Sequence, residues 1–165
     1  PLYSSAASDV YKRQEPDQRP LAELVSAVHA VVDLPLIAAG GLRTREDVAR
    51  ALSWSGVRAV SCGSAFLLAE EAGTSPHNRA LLRRGGATVS TRAFSGRYAR
   101  GLETPYTRAH VELPLVYPYL NALLKPRRAA HDPEVDYCLV GTEVEKISGG
   151  SVAQILAQLC PNGHL

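Results

Sequence analysis

The sequence predicts an α/β fold in which short parallel strands alternate with helices. Three observations predict it: apolar residues recur at helical spacing over 21–32 and 44–56, short apolar runs separate these stretches, and glycines close the runs. The segments are joined by loops of two to five residues, as in the βα units of a parallel sheet. A right-handed crossover then lays the two strands side by side.

Each segment has its own start and stop signals. The first helix begins after Pro20, a residue that suits a helix start, and ends before Pro35. The second begins at Thr44, whose side chain can cap the first turn, and ends at Gly56. The predicted elements are a helix over 21–32, a strand over 36–39, a helix over 44–56, a strand over 57–62 and a helix from Ala65.

The chain changes character after Gly73, where the regular alternation stops. Residues 76–84 can form one more helix, and residues 88–98 form a mixed segment that contains glycine. Five prolines divide the following stretch into short pieces, and residues 151–159 form a terminal amphipathic helix. This part is predicted to be a C-terminal extension of the parallel-strand region.

The composition excludes several classes of function. The net charge of +2 is too small to indicate a nucleic-acid partner or binding to a membrane surface. The longest apolar stretch, residues 21–42, is interrupted by polar residues, proline and glycine, so no transmembrane span is predicted. Three widely spaced cysteines predict neither a zinc site nor a disulfide framework, and without a visible secretory signal they indicate a cytoplasmic protein.

A pair of glycine-containing turns ends the two predicted strands. In a (βα)8 barrel the loops after the last two strands commonly form a phosphate site, because glycine admits a close approach and bare amides point at the anion. The turns therefore predict the last two βα units of such a barrel, binding flavin mononucleotide (FMN), a sugar phosphate or a nucleotide. The candidate binding residues are Gly40, Gly41, Ser61, Cys62, Gly63 and Ser64.

Several linked motifs resemble one enzyme family. The chain contains the run LPLIAAGGLRTREDVARAL, then Gly63, a Phe-Leu-Leu run, a Glu-Ala-Gly-Thr element and, further on, the run TRAFSGRYARGL. Over residues 20–159 this order of motifs is similar to the nitronate monooxygenases, also called 2-nitropropane dioxygenases, which are FMN-binding barrels. The flavin-dependent enoyl-acyl-carrier-protein reductases are close relatives of that family.

The resemblance implies FMN as cofactor and a nitronate or nitroalkane, with dioxygen, as the small-molecule substrates. Gly41 and residues 61–64 match the family positions that hold the FMN phosphate. Ser61 stands where the family has glutamine, Cys62 where it has an aliphatic residue, and Ser64 where it has threonine. Backbone donors and the Ser64 hydroxyl preserve a phosphate site across these differences.

No catalytic residue is assigned within this chain. The family's general base is a histidine in a Gly-Gly-His-x-Gly segment, which does not occur in this sequence. His29 is expected to be a helix-surface or interface residue, and Cys62 is expected to be a buried strand residue unless nearby donors lower the pKa of its thiol. Two alternatives stay open: a flavin reductase acting on an acyl thioester, and a flavin-free isomerase or lyase that binds a sugar phosphate.

The ends of the chain set its predicted domain organisation. The sequence contains no methionine and opens with Pro1, and residues 1–14 resemble translated adaptor sequence. We therefore predict a non-native segment over 1–14 and, over 15–165, a C-terminal fragment of an FMN-binding nitronate monooxygenase-like barrel. The fragment is expected to carry the phosphate end of the flavin site without the catalytic histidine, and so to be inactive alone.

Overall fold

Residues 19–160 are described by a computed structural model, and they form two compact units. The strand-pair unit comprises residues 19–79 and 141–160, and the hairpin unit comprises residues 80–140. The predicted non-native segment 1–14 lies outside the described residues. No helix between residues 19 and 160 combines the length and apolar character needed to cross a membrane.

The strand-pair unit alternates helices and strands, as the hydrophobic pattern predicts. Its strands pair in parallel, with Ala39 of the first opposite Ser61 of the second. The connecting helix α3 (Pro76–Arg84) begins in this unit. The other elements are α1 (Leu21–His29), β1 (Leu36–Ala39), α2 (Arg45–Leu52), β2 (Val57–Ser61), two 3₁₀ turns (Ser64–Phe66 and Val144–Lys146) and α6 (Val152–Leu159).

Two apolar clusters hold these helices against the strands. The first joins α1, β1, α2 and β2 through the buried side chains Val25, Ala38, Leu42, Ala51 and Val57. The second packs α6 against α2 and the first 3₁₀ turn through Val48, Ala65, Ala69, Ile155 and Leu159. Burial of such side chains contributes about 1.5–3 kcal/mol each for the larger aliphatic residues, so the clusters fix where β1 and β2 end.

The helix predicted from Ala65 is wrong, because the chain makes a single 3₁₀ turn there and then irregular turns. The guanidinium of Arg79 stabilises this irregular path, since it donates to four backbone carbonyls along it. The amide of Glu70 likewise donates to the carbonyl of Gly150, at 2.9 Å. The carbonyls that accept from Arg79, at 2.6–3.1 Å, belong to Leu68, Ala69, Ala72 and Thr74.

The hairpin unit contains an antiparallel strand pair and short helices. The Leu102 amide donates to the Cys138 carbonyl at 3.0 Å, and the Val140 amide to the Arg100 carbonyl at 3.1 Å, so a later segment runs alongside the second strand. Pro105 begins a helix and Pro133 a 3₁₀ turn, but Pro126 lies inside the helix over 119–129 and does not divide the chain there as the sequence predicts. The elements are β3 (Thr88–Thr91), β4 (Ala99–Leu102), α4 (Pro105–Ala109), α5 (Tyr119–Ala129) and a 3₁₀ turn (Pro133–Val135).

Candidate functional site

The two glycine turns lie at the same end of the strand pair. Ala38 pairs with Val60 and Ala39 with Ser61 in parallel register, so both turns follow directly on neighbouring strand ends. In open and closed parallel sheets, ligands bind beyond the carboxyl ends of the strands. The register therefore produces one candidate binding edge from two separate segments of the chain.

The first turn exposes backbone to open space. Gly40 and Gly41 have φ values of +122° and +69°, which a residue with a Cβ rarely adopts. A Cβ added at either position would meet no heavy atom within 4 Å. Among residues 19–160 the Gly41 amide donates no hydrogen bond. The turn therefore presents an uncommitted donor beside a space that an anion can occupy.

Helix α2 begins after this turn, and reciprocal capping holds its start. The hydroxyl oxygen of Thr44 accepts from the Asp47 amide at 3.2 Å, as the sequence predicts. The Asp47 carboxylate accepts from the amides of Thr44 and Arg43, both at 3.2 Å. Burial raises the pKa of this carboxyl, but the hydrogen bonds together outweigh burial and hold its pKa below the ordinary value.

The second turn combines an accessible glycine with a hydroxyl group. Ser61 ends β2 and is exposed, whereas Ser64 is half-buried and opens the 3₁₀ turn. Gly63 has φ −70° and ψ −55°, a conformation open to any residue, and a Cβ there would meet no atom within 4 Å. Its amide donates no hydrogen bond within the described part of the chain. Here too a backbone donor borders open space.

Cys62 belongs to the apolar packing of the second turn rather than to its polar edge. Its half-buried side chain contacts both apolar clusters of the strand-pair unit. Burial raises the pKa of the Cys62 thiol, although the positive charge of Arg43 opposes that shift. The predicted buried strand residue is therefore wrong in part, because β2 ends at Ser61 and Cys62 is half-buried just beyond it. The raised pKa favours the neutral, weakly nucleophilic thiol.

Two residues that the sequence reasoning did not assign to the site also lie here. The Gly141 amide donates to the hydroxyl oxygen of Ser64 at 3.0 Å. Arg43 is only 6% exposed, and its Nη2 would lie 2.2 Å from a Cβ placed on Gly141. No local spacing could reveal a contact between residues 77 apart in sequence. A single arginine two residues after a Gly-Gly pair likewise gives no local sign of its burial.

The histidines with described contacts have packing roles. His29 lies against Gly56, where an added Cβ would be 2.5 Å from the ring Nδ1. The ring of His110 stacks on that of Tyr106 in the hairpin unit, with centroids 4.0 Å apart. Between residues 19 and 160, no cluster of three or more His, Cys, Asp or Glu side chains could hold a metal ion.

Two kinds of solved structure resemble the chain. It is 29% identical to nitroalkane oxidase from Streptomyces ansochromogenes, with a TM-score of 0.76, covering 84% of this chain and 42% of that one. It is also 29% identical to FabK from Thermotoga maritima, with a TM-score of 0.69, covering 86% of this chain and 48% of that one. The chain therefore spans less than half the length of these structures.

The family comparison covers nearly the whole sequence. A search of curated proteins gave no match. The model of the nitronate monooxygenase family matches residues 11–162 of the 165, and so includes both glycine turns, Arg43 and Gly141. The resemblance predicted from the linked motifs is confirmed. The chain belongs to the nitronate monooxygenase family.

Proposed function

We propose that this chain supplies the phosphate end of an FMN site in an oxidoreductase of the nitronate monooxygenase type. The observation that carries the proposal is the pair of glycine turns at one end of the parallel strands, each bordered by open space. The donors available there to a phosphate are the amides of Gly41 and Gly63 and the hydroxyl of Ser64. Family membership supports flavin chemistry at that position.

In this proposal β1 and β2 are the last two strands of a (βα)8 barrel. Their parallel pairing and the helix between them support this assignment, as does the likeness to part of nitroalkane oxidase. Such barrels commonly bind a phosphate group between the loops that follow strands seven and eight. The rest of the chain, after Gly73, is then a C-terminal extension that returns to the strand pair through α6.

The residues present fit a phosphate ester. The space that a Cβ would fill is free at Gly40, Gly41 and Gly63, so phosphate oxygens can approach the backbone closely. Because Ser64 Oγ already accepts from the Gly141 amide, its own hydrogen is available to an oxygen of the ligand. Ser61 and Cys62 offer the phosphate only their backbone groups, because neither side chain is charged.

The flavin and the residues of this chain have different roles in this proposal. When bound, the flavin supplies the redox chemistry by which an alkyl nitronate and dioxygen become a carbonyl compound and nitrite. The residues of this chain bind the phosphate and thereby orient the cofactor. Since the Gly-Gly-His-x-Gly segment that carries the family's base does not occur in the sequence, we expect the 165-residue chain to bind FMN without oxidising nitronate.

A second candidate is a flavin-dependent reductase that acts on an acyl thioester with a reduced nicotinamide. The likeness to FabK from Thermotoga maritima supports it. Two assays of the whole enzyme separate the candidates: nitrite release from an alkyl nitronate under dioxygen, and oxidation of the nicotinamide by an enoyl thioester. A colourless protein without flavin absorbance would favour the sugar-phosphate isomerase or lyase instead.

The cofactor assignment is tested by Gly63→Ala with Gly73→Ala as the matched control. Both glycines are exposed, neither has a positive φ, and neither Cβ would meet an atom within 4 Å. The two changes therefore add the same methyl group without strain, and a glycine replaced at such a position gains about 0.4–1 kcal/mol of stability or changes little. Only the methyl at position 63 enters the space assigned to the phosphate.

Titration of the purified chain with FMN, followed by flavin fluorescence, gives the readout. We expect Gly63→Ala to weaken FMN binding at least about tenfold, the loss of roughly one charge-assisted hydrogen bond, while Gly73→Ala binds like the parent chain. Unfolding in urea should give both variants at least the parent's stability. Equal FMN affinity in all three proteins would contradict the proposed site.

A further inference from the structure

Arg43 carries a buried positive charge that no hydrogen bond satisfies at two of its nitrogens. The residue is 6% exposed, and its Nε and Nη2 have no hydrogen-bond partner within residues 19–160. Burial lowers the pKa of the guanidinium, but the nearby carboxylates of Glu143, Asp47 and Glu145 oppose that shift, and arginine stays protonated in proteins. A buried cation without matched partners is costly, so its retention calls for an explanation.

The guanidinium lies beside the second turn although Arg43 follows the first. A Cβ built on Gly141 would be 2.2 Å from Arg43 Nη2 and 3.4 Å from Ser64 Oγ. Ser64 Oγ in turn accepts from the Gly141 amide. Arg43, from the loop after β1, and Ser64, from the turn after β2, therefore both lie beside Gly141, where the two halves of the candidate phosphate site meet.

Two of the three carboxylates around Arg43 also pair with other cations. Asp47 accepts from backbone amides at the start of α2 and pairs with Arg50. Glu143 pairs with Lys146. A charge in a partly desolvated site acts over several ångströms, because the surroundings screen it less than water does. Arg43 therefore places a buried positive charge beside the two turns, where it can attract a phosphate dianion.

We propose that Arg43 makes this site select a phosphate ester dianion over the same ligand without its phosphate, which for flavins means FMN over riboflavin. The inference rests on the proposed FMN site and names the residue that gives it charge selectivity. Glycine amides and the Ser64 hydroxyl also bind neutral oxygen groups. A fixed cation, in contrast, raises the affinity of the site for a ligand with two negative charges. Arg43 is a positioning and charge-providing residue and moves no proton.

The test is the ratio of the FMN and riboflavin dissociation constants of the 165-residue chain, with inorganic phosphate as a competitor. The variants are Arg43→Gln, which removes the charge, Arg43→Lys, which keeps it, and Arg58→Gln, which removes an exposed charge on β2. Gly141→Ala is a fourth variant: its Cβ displaces the guanidinium while the charge count and the Gly141 amide stay unchanged. If Arg43→Gln does not fold, Gly141→Ala still tests whether the position of the Arg43 guanidinium sets the preference for FMN.

We expect Arg43→Gln and Gly141→Ala to lower the preference for FMN about tenfold, or about 1.4 kcal/mol, with little change in riboflavin affinity. Arg43→Lys should keep most of the preference, and Arg58→Gln all of it. Inorganic phosphate should displace FMN from the parent chain and less effectively from Arg43→Gln. A purely structural role for Arg43 would lower stability in urea and leave the ratio unchanged.

The failure of this inference differs from the failure of the proposed function. If the parent chain prefers FMN and the Arg43→Gln and Gly141→Ala variants keep that preference, the role of Arg43 is wrong and the FMN site stands. If the folded parent chain binds FMN no better than riboflavin, and inorganic phosphate does not compete, the phosphate site itself is wrong. Both results come from measured dissociation constants, so neither requires an active enzyme.

Discussion

The amide of Gly141 donates a hydrogen bond of 3.0 Å to the hydroxyl oxygen of Ser64, 77 residues earlier in the chain. This contact ties the segment before α6 to the turn after β2. It also fixes the Ser64 hydroxyl, because the oxygen accepts from the backbone and its hydrogen is left to donate elsewhere. The turn that we assign to the phosphate is therefore held by residues that follow the strands by a long stretch of chain.

Removing the Ser64 hydroxyl should destabilise the chain. Ser64→Ala leaves the half-buried Gly141 amide without its acceptor, at a cost of about 1 kcal/mol in the free energy of unfolding. Ser64→Thr keeps the hydroxyl and should stay within about 0.5 kcal/mol of the parent. Urea unfolding followed by circular dichroism measures both. An alanine variant as stable as the threonine variant would show that the hydrogen bond contributes nothing.

The capping carboxylate of Asp47 should make stability depend on pH. Its pKa in the folded chain lies below its ordinary value of about 3.9, so the unfolded chain binds the proton more readily. Its contribution is therefore complete above the unfolded pKa and is lost as pH falls through the folded pKa. We expect Asp47→Asn to cost about 1 kcal/mol at pH 7, a cost that shrinks at pH 3. Urea unfolding of both proteins at the two pH values measures this, and an equal cost at both contradicts the ionised cap.

The Arg79 guanidinium should be essential to the irregular segment that follows the second turn. Its nitrogens donate to four backbone carbonyls, and lysine cannot reproduce that fork. We expect Arg79→Lys to lower the free energy of unfolding by about 2 kcal/mol, since each lost hydrogen bond to a charged group contributes about 1.5–3 kcal/mol before compensation. The control is Arg83→Lys, an exposed position on the same helix, which should change stability by less than about 0.5 kcal/mol. Similar losses in both would indicate that Arg79 acts only through helix propensity.

The thiols of Cys62 and Cys138 should react slowly at neutral pH. Burial raises the pKa of Cys62, and burial together with the nearby Asp136 raises that of Cys138 to about 11. Thiolate is the reactive form, so alkylation by iodoacetamide at pH 7.5 should be far slower in the folded chain than in urea. Mass spectrometry of the alkylated peptides gives the rates. Rapid labelling of Cys62 in the folded chain would place its thiol in a different environment.

The parallel-strand region could be predicted from sequence because its signals are local. Apolar periodicity, the Thr44 cap and the terminal glycines each act over a few residues, and β1, α6 and the start of α2 follow them closely. The predicted helix ends are wrong, because α1 ends at His29 rather than residue 32 and α2 at Leu52 rather than Gly56. The helix expected from Ala65 was wrong for the opposite reason. The irregular path there is stabilised by Arg79, from a helix that begins later, and an apolar run gives no sign of that contact.

Some residues of the candidate site could be predicted from the sequence, and others could not. The residues of the two turns could be found from the glycines that close the apolar runs, although only Gly40 and Gly41 need that residue type for a positive φ. Gly141 and the orientation of Arg43 could not, since both depend on how the segment before α6 packs beside the second turn. The burial of Arg43 has no signature in the sequence, where a single arginine near a helix start resembles any exposed basic residue.

The most direct test of the account follows the backbone amides assigned to the phosphate. Proton–nitrogen correlation spectra of the isotopically labelled chain, recorded during titration with FMN and separately with riboflavin, report on each amide. We predict that the Gly41 and Gly63 amides shift most with FMN and much less with riboflavin, because the phosphate is their ligand. Shifts confined to other residues, or equal shifts with both flavins, would contradict a phosphate held between the two turns.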